Sequence, residues 1–346
     1  MTFNRILIIQ LKHLGDILLT TPVLPALKEA WPQAAISALT PRGMEPMLTE
    51  HPLLTEVLSM DRADRSPFHF LKFAAQLRQR RFDLVLEFSG GDRGAFYTRL
   101  TGAGTRVGFQ DPRRPAWHRF CAFTLLAPQP PLRWHTVEKH LALVRSLGVE
   151  PKNHGPAFFW NRQTDQEVRD LMERLGLAPR KFILLHPPAR WLFKCWTPEG
   201  YAQVIETLQG DYKVPVVITA APQSQEIDFV DNIMRLVRTL PVNLAGRLSL
   251  KTLGALIAQA RLFLGVDSAP MHLAAAVGTP AVVLFGPSGP FNWRPWGEGH
   301  IVLTKDFDCQ PCGRDGCEGS KISRCLTAIT PAEVLAAVDR QLQVCI

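Results

Sequence analysis

The strongest constraint on the fold of this chain is a repeated alternation of apolar runs and helix-like segments. Residues 5–11 form a continuous Ile- and Leu-rich run, which is typical of a strand buried in a parallel sheet. A segment of helical spacing follows at residues 17–31 and stops before Pro32. In the first half we predict further strands and helices: strands at 35–39, 56–60 and 84–88, and helices near 44–48, 68–80 and 135–147.

A segment rich in Pro, Gly and Asn at residues 150–164 is the best candidate for a linker, and the alternation restarts after it. The predicted elements are strands at 182–186, 214–219, 262–266 and 281–285, and helices at 198–209, 225–239, 250–259, 271–277 and 331–342. Two such series predict an α/β chain of two Rossmann-like domains, 1–155 and 156–346. The sequence leaves open whether the terminal helix packs on its own domain or back on the first domain.

In parallel sheets of this kind, ligands bind beyond the carboxyl ends of the strands. Two such domains that face each other would form a cleft. We therefore expect the functional side chains at strand-to-helix turns.

The chain has a net charge of +8, and this charge is concentrated in the first half. Residues 1–155 carry 20 Lys and Arg against 13 Asp and Glu, whereas residues 156–346 carry 19 against 18. This distribution predicts an anionic partner for the first domain, either a phosphorylated substrate or an anionic lipid surface. Ordinary solubility charge is the alternative. The basic residues accompany no recognised nucleic-acid-binding module, so a nucleic-acid partner is disfavoured.

The apolar run near the N-terminus ends at Lys12 and is too short for a signal peptide. The longest later apolar stretch, residues 273–285, is interrupted by Gly278 and Pro280 and falls short of the roughly 20 residues that span a bilayer. The expectation is a cytoplasmic protein, soluble or peripheral on the inner face of the inner membrane.

Three turns carry residues suited to catalysis. The first is residues 12–16, after the first strand, where Gly15 permits a close approach of backbone to ligand and Asp16 begins a helix. A helix dipole favours an ionised carboxylate there by roughly 0.3–1 kcal/mol. Such a carboxylate can accept a proton from an attacking hydroxyl. An ordinary N-cap Asp is the alternative interpretation.

The second turn, residues 190–196, follows the strand at 182–186 and contains two cations and two tryptophans. Arg190 and Lys194 just past a strand end suit phosphate binding. The alternative is a solvated loop whose tryptophans pack on the core. The third turn, residues 265–272, leads into a helix whose N-terminal amides suit a diphosphate, and Pro270 fits its first turn. Glu226, near another strand end, suits ribose hydroxyls or is a solvated helix residue.

These motifs, in this order, resemble the lipopolysaccharide heptosyltransferases of glycosyltransferase family 9. The resemblance runs over most of the chain and is carried by five segments: residues 6–9 with Gly15-Asp16, 190–196, 266–276, 285–287 and 293–296. Within the family, the second and the last two segments are most similar to heptosyltransferase III, which adds a branching heptose to the second core heptose. Heptosyltransferase II is the nearest rival.

The resemblance implies a GT-B fold, ADP-heptose as the donor and inversion at the anomeric carbon. It makes Asp16 the general base and Lys194 the group that neutralises the departing diphosphate. The donor-binding residues that it implies are Gly15, Arg190, Glu226, Leu248, Asp267, Ser268, Ala269, Met271 and His272, with Glu226 on the ribose and Leu248 at the adenine. One departure is the pair Pro188-Ala189, where several relatives place hydroxyl residues.

The acceptor that the resemblance implies, the lipopolysaccharide inner core, is anionic and matches the basic first half. The candidate acceptor contacts, proposed as a group, are Arg62, Arg65, Arg93, Arg113, Arg114 and Arg119. The basic helix at 68–80 could also rest on the anionic inner membrane through Phe68, Phe70 and Phe73. A place in the core is the favoured interpretation of these aromatics.

Four cysteines, Cys309, Cys312, Cys317 and Cys325, lie at short spacing. Four thiolates suit structural zinc or an iron–sulfur cluster, but the spacing is not that of a zinc ribbon, and free or partly oxidised thiols are favoured. The transfer implied by the resemblance requires no cofactor, although Mg²⁺ stays an alternative. The rival functions are another GT-B enzyme with a different nucleotide sugar, a nucleotide-sugar epimerase, and a non-catalytic nucleotide- or metal-binding regulator.

Overall fold

A computed structural model describes residues 2–61, 66–111, 121–152 and 154–344. The chain divides into two compact units, Met1–Phe159 and Trp160–Ile346. The boundary between them lies inside the segment 150–164. Each unit is built around one six-stranded sheet in which every pairing is parallel.

The first sheet has the strand order β3-β2-β1-β4-β5-β6. Its strands are β1 (Arg5–Ile9), β2 (Ala35–Pro41), β3 (Glu56–Met60), β4 (Leu84–Glu87), β5 (Thr105–Phe109) and β6 (Leu125–Ala127). The central strand β1 is buried from Ile6 to Ile9. Burial on both faces explains why this strand is a continuous apolar run instead of an alternating one.

The helices of the first unit are α1 (Leu14–Leu18), α2 (Val23–Ala30), α3 (Pro67–Gln79), α4 (Asp92–Leu100) and α5 (Thr136–Arg145). The prediction of one helix over residues 17–31 is wrong, because the chain forms α1 and α2 there. Pro22 has no amide hydrogen for the carbonyl of Leu18. That carbonyl instead accepts hydrogen bonds from the backbone amide and the hydroxyl of Thr21, at 3.0 and 2.7 Å, and α1 ends.

The second sheet has the order β12-β11-β10-β7-β8-β9. Its strands are β7 (Ile183–His186), β8 (Val216–Ile218), β9 (Val242–Asn243), β10 (Leu262–Val266), β11 (Ala281–Leu284) and β12 (His300–Leu303). Counted within each unit, both sheets have the Rossmann order 3-2-1-4-5-6. The order therefore reverses between β1 and β4 in the first sheet and between β7 and β10 in the second. These two switch points are where such sheets bind ligands.

The helices of the second unit are α6 (Arg162–Arg174), α7 (Pro198–Gly210), α8 (Ser224–Met234), α9 (Leu250–Gln259), α10 (Ala269–Ala276), α11 (Pro290–Trp293), α12 (Arg324–Thr327) and α13 (Pro331–Val344). The sequence analysis did not predict α6, whose N-cap is Asn161 in the segment interpreted as a linker. The terminal helix α13 packs on α7, β11 and β12 of its own unit. Its buried Val334, Ala337 and Val338 join the core of that unit. None of the helices in the described ranges combines the length and apolarity needed to cross a membrane.

Candidate active site

Apart from Gly15, which lies in α1 of the first unit, the residues predicted to bind a donor follow four neighbouring strands of the second sheet. Residues 187–194 follow β7, Glu226 follows β8, Leu248 follows β9 and residues 267–272 follow β10. These strands are adjacent in the order β10-β7-β8-β9. Because parallel strands end at the same edge of a sheet, the four segments lie at one edge, around the switch point.

An ion pair joins two of these segments across the switch point. The Nζ of Lys194 lies 2.6 Å from Oδ2 of Asp267, and their side chains are 19% and 8% exposed. The indole ring of Trp191 lies beside this pair, with its centroid 5.3 Å from Nζ of Lys194 and 5.7 Å from Cζ of Arg190. Two cations and an aromatic ring thus surround the end of β7, a set of groups suited to a phosphate and its attached ring.

The loop that carries Lys194 is anchored by two buried side chains, Cys195 and Trp196. The amide of Ala189 donates to Sγ of Cys195 at 3.3 Å, and burial raises the pKa of this thiol to about 12. The indole of Trp196 donates to the carbonyl of Ile329 at 3.0 Å. The loop is therefore held at its base. Trp196 is buried, as the alternative of a solvated loop with tryptophans on the core supposes, whereas Trp191 is 41% exposed.

The turn after β10 leads from the buried Asp267 into α10. Ser268 is the N-cap of α10, yet its side chain forms no capping bond. Its Oγ is buried and has no hydrogen-bond partner among the described residues. Because an unsatisfied buried hydroxyl costs free energy, this atom is suited to a ligand. Met271 and His272 are buried, whereas Ser268 and Ala269 are half-buried.

Glu226 lies in the first turn of α8 and is only 8% exposed. Its interpretation as a solvated helix residue is therefore wrong. Burial raises the pKa of Glu226, and a hydrogen bond from the Ala221 amide, 3.1 Å from Oε2, partly opposes this. The half-buried Leu248 follows β9, and the amide of Gly246 in the same loop donates to the Ala220 carbonyl at 2.9 Å. That bond ties the loop of Leu248 to the loop of Glu226.

His186, which ends β7 and is buried, was not among the predicted residues. Its Nδ1 lies 2.9 Å from the hydroxyl of Thr219, which donates to the carbonyl of Leu185 at 3.2 Å. The hydroxyl proton is thus used, so Nδ1 of His186 is the donor of the first bond. Burial lowers the pKa of His186 to about 3, and the ring is neutral. A histidine at the end of an apolar strand was the sequence signal that could have revealed this residue. In the structure, His186 joins the ends of β7 and β8.

In the first unit, Asp16 is the third residue of α1 and is 8% exposed. Its interpretation as the N-cap is wrong, because His13 has the extended backbone of that position. The amide of His13 donates to Oδ2 of Asp16 at 3.3 Å. Burial raises the pKa of Asp16, while the charge of Lys12 and this hydrogen bond oppose the rise. Burial has the largest effect, and the side chain is a stronger base than a solvated Asp.

A buried hydrogen-bond network holds the C-terminal part of α1. The hydroxyl of Thr20 donates to the carbonyl of Asp16 at 2.8 Å. Nδ1 of His140 lies 3.0 Å from the carbonyl of Leu19, so this nitrogen carries the proton. Burial lowers the pKa of His140 to about 4 and keeps the ring neutral. Gly15 lies inside α1, where its carbonyl accepts from the Leu19 amide. The helix that carries Asp16 is thus fixed by neutral buried partners.

A second missed residue is Glu87, the last residue of β4, which is 2% exposed. Its two carboxylate oxygens accept hydrogen bonds from the amides of Ser89 and Gly90, at 2.8 and 2.9 Å. Burial raises its pKa, and these hydrogen bonds oppose the rise. A charged residue at the end of an apolar strand, followed by a glycine turn, was the signal that could have revealed it. Its position at the switch point of the first sheet makes it a neighbour of the loop that carries Asp16.

The structure describes only one of the six candidate acceptor contacts. Arg93 is exposed on α4. The other five lie outside the described residues: Arg62, Arg65, Arg113, Arg114 and Arg119. On α3, Phe70 and Phe73 pack against the core, as favoured from the sequence, whereas Phe68 is 72% exposed and its assignment to the core is wrong.

The four clustered cysteines differ in their exposure to solvent. Cys309 is exposed, Cys312 and Cys317 are half-buried, and Cys325 is buried. Within the described residues, which include all four cysteines, no group of three or more His, Cys, Asp or Glu side chains could hold a metal ion. The zinc or iron–sulfur interpretation therefore gains no support from the fold.

Most of the chain also matches a family model. Residues 70–323 match the model of glycosyltransferase family 9 (heptosyltransferase). The chain belongs to glycosyltransferase family 9. A lipopolysaccharide heptosyltransferase 3 of Escherichia coli is 32% identical over 337 residues, which cover 95% of this chain and 96% of that protein.

Two solved structures share the architecture of this family 9 glycosyltransferase. A family 9 glycosyltransferase from Veillonella parvula superposes with a TM-score of 0.88 at 22% identity, covering 99% of this chain and 98% of that one. The E. coli ADP-heptose lipopolysaccharide heptosyltransferase II superposes with a TM-score of 0.79 at 22% identity, covering 98% and 99%. The GT-B fold that the motifs implied, with two Rossmann-like units, is thereby confirmed.

Proposed function

We propose that this glycosyltransferase moves L-glycero-D-manno-heptose from ADP-heptose to the lipopolysaccharide inner core, with inversion at the anomeric carbon. The observation that carries the proposal is the Lys194–Asp267 pair at the switch point of the second sheet, beside the buried hydroxyl of Ser268. Positive charge and a hydroxyl at the N-terminus of α10 suit a diphosphate. Similarity to heptosyltransferase 3 over nearly the whole chain supports heptose as the sugar.

In this proposal the second unit binds the donor. Lys194 and Arg190 face the diphosphate, and the ring of Trp191 packs beside the two cations. Ser268 and Ala269 present the N-terminus of α10. Glu226 accepts hydrogen bonds from the ribose, and Leu248 contacts the adenine. The buried Asp267, Met271 and His272 support the turn.

The transfer itself is an in-line displacement. The acceptor hydroxyl gives its proton to the carboxylate of Asp16 while its oxygen attacks the anomeric carbon. The bond from that carbon to the diphosphate oxygen breaks, and ADP leaves with the bonding electron pair. Lys194 and the dipole of α10 stabilise the charge that develops on ADP, which is usually the largest catalytic contribution. Because these groups already supply positive charge, we propose that the reaction needs no metal. Stimulation by Mg²⁺ after treatment with EDTA would contradict this.

The first unit is proposed to bind the acceptor. Its basic excess matches an anionic oligosaccharide, and Arg93 is the described member of the proposed arginine group. We further propose that α3 rests on the anionic inner face of the membrane. Phe68 and Leu71 are three residues apart on this helix, and both are largely exposed.

The deciding experiment is a transfer assay with ADP-heptose and purified core acceptor, together with mass spectrometry of the core from a deletion strain. We expect transfer from ADP-heptose and not from UDP-sugars, and a core that lacks one branch heptose. A core truncated after the first heptose would indicate heptosyltransferase II activity instead. An Asp16→Asn variant that still builds a complete core would contradict the proposed mechanism and favour a regulator.

A further inference from the structure

A buried carboxylate closes the turn at the switch point of the first sheet. Glu87 pairs with Ile9 in the register of β4 and β1, so it lies where both strands end. Its oxygens accept the amides of Ser89 and Gly90, and its side chain is almost fully buried. Two hydrogen bonds from successive amides fix the backbone of this turn.

The turn is in direct contact with the loop that carries Asp16. The hydroxyl of Ser89 accepts a hydrogen bond from the amide of Leu11 at 2.7 Å, and it is also hydrogen-bonded to the carboxylate of Glu87. Ser89 therefore links the end of β4 to the start of the segment 11–16. The charge of Lys12, in that segment, acts on both carboxyl groups, Asp16 and Glu87.

The space around the carboxylate is closed by α4. A Cβ atom added at Gly94 would collide with the carboxylate of Glu87. Glu87 is thus confined between its own turn and the backbone of α4. A Gln side chain, which has the same shape, would keep this packing and would lose one of the two acceptors.

We propose that Glu87 is a positioning residue for the proposed transfer. Through Ser89 and the amide of Leu11, it holds the segment 11–16 so that Asp16 meets the acceptor hydroxyl in a reactive geometry. The inference rests on the proposed role of Asp16. Glu87 contacts neither donor nor acceptor in this scheme and acts only through the loop.

The test compares Glu87→Gln and Ser89→Ala with the wild-type enzyme. The Gln side chain presents an NH₂ group to one of the two amides, and the Ala side chain removes the acceptor of the Leu11 amide. For both variants we expect kcat to fall by about 10- to 100-fold, because a small displacement of a catalytic group costs this much. The KM for ADP-heptose should stay within about twofold of wild type, because the donor residues are untouched.

Hydrogen–deuterium exchange at the Leu11 amide provides the readout that separates positioning from general damage. Exchange should be faster in both variants, while the melting temperature changes little. Glu56→Gln is the matched control, since Glu56 accepts its hydrogen bonds from Arg80, away from the turn of Glu87. It should keep the wild-type kcat and the wild-type exchange at Leu11.

Unchanged exchange at Leu11 and unchanged kcat in Glu87→Gln would overturn the inference. So would a loss of kcat in Ser89→Ala without faster exchange. If the wild-type enzyme transfers no heptose, the proposed function fails instead, and the exchange measurement still decides whether Glu87 holds this turn.

Discussion

The ammonium group of Lys194 lies 2.6 Å from the carboxylate of Asp267, and the two residues are 73 positions apart in the chain. Each follows a strand that borders the switch point of the second sheet. Asp267 compensates the positive charge of Lys194 in a partly buried place. In the proposed reaction the diphosphate would meet a cation that is already positioned, so little reorganisation would be required.

Replacement of Lys194 by Ala should reduce kcat by about 100- to 1,000-fold, because the departing ADP then loses its main positive partner. Steady-state kinetics with ADP-heptose would measure this loss. Lys305→Ala is the matched control, since Lys305 forms an ion pair with Glu333 in the same unit, 2.6 Å apart. The control should retain the wild-type kcat. A Lys194→Ala enzyme with the wild-type kcat would contradict the proposed role.

The pH dependence of kcat/KM should report the ionisation of Asp16. A base must be deprotonated, and burial raises the pKa of Asp16 above its ordinary 3.8. Activity should therefore be present above this raised pKa and be lost as the pH falls through it. The positive charge of Lys12 lowers the pKa of Asp16. Lys12→Gln should therefore move the acidic limb to higher pH.

Lys152→Gln is the control for that shift, because Lys152 is largely exposed and pairs with Glu29. Its pH profile should match that of the wild type. An acidic limb that stays in place in Lys12→Gln would show that another group limits the rate at low pH.

The packing under the Lys194 loop predicts a sensitive glycine in α7. A Cβ at Gly200 would stand 2.5 Å from the ring of Trp196, which is buried and cannot move aside cheaply. Gly200→Ala should lower the free energy of unfolding by about 1–3 kcal/mol, as overpacked cores do. Gly210, in the same helix, has nothing within 4 Å of its Cβ position. Gly210→Ala should leave stability equal or slightly higher. Urea unfolding of both variants tests this, and equal losses would contradict the packing argument.

The cysteines should differ widely in reactivity. Hydrogen bonds from Arg324 lower the pKa of Cys317, whereas burial raises the pKa of Cys195 to about 12. Because the thiolate is the reactive form, iodoacetamide should label Cys317 quickly and Cys195 slowly. Mass spectrometry of a labelling time course would show the order, and Arg324→Ala should slow the labelling of Cys317. Protection of all four clustered cysteines until a chelator is added would instead reveal a bound metal.

Binding to membranes should depend on the exposed face of α3. The double variant Phe68→Ser, Leu71→Ser should bind vesicles that contain phosphatidylglycerol more weakly than the wild type, because buried apolar area drives interfacial binding. Leu240→Ser is the control, since Leu240 is an equally exposed Leu in the second unit. Vesicle flotation measures the membrane binding of the double variant and of the control. Equal binding of wild type and double variant would contradict the proposal for α3.

Several features of the fold could be predicted from local sequence. The strands β3 and β10 and the helix α9 have the bounds that the sequence predicts. In such segments a single residue pattern decides the conformation. Where backbone chemistry intervened, prediction failed: Pro22 ended a helix that periodicity alone would continue. The helix α4 contains Gly94, which weakens the helical pattern, and it was not predicted.

The sequence by itself determined the family, the class of fold and the turns that carry Asp16, Arg190, Lys194 and Asp267, because these are properties of contiguous residues. Only the tertiary structure decided which side chains meet and what surrounds them. Strand order brings Lys194 to Asp267, and burial makes Asp16 a stronger base. The tertiary structure also revealed Glu87 and His186, whose partners lie on neighbouring loops. Contacts and desolvation depend on residues distant in sequence, so no local pattern encodes them.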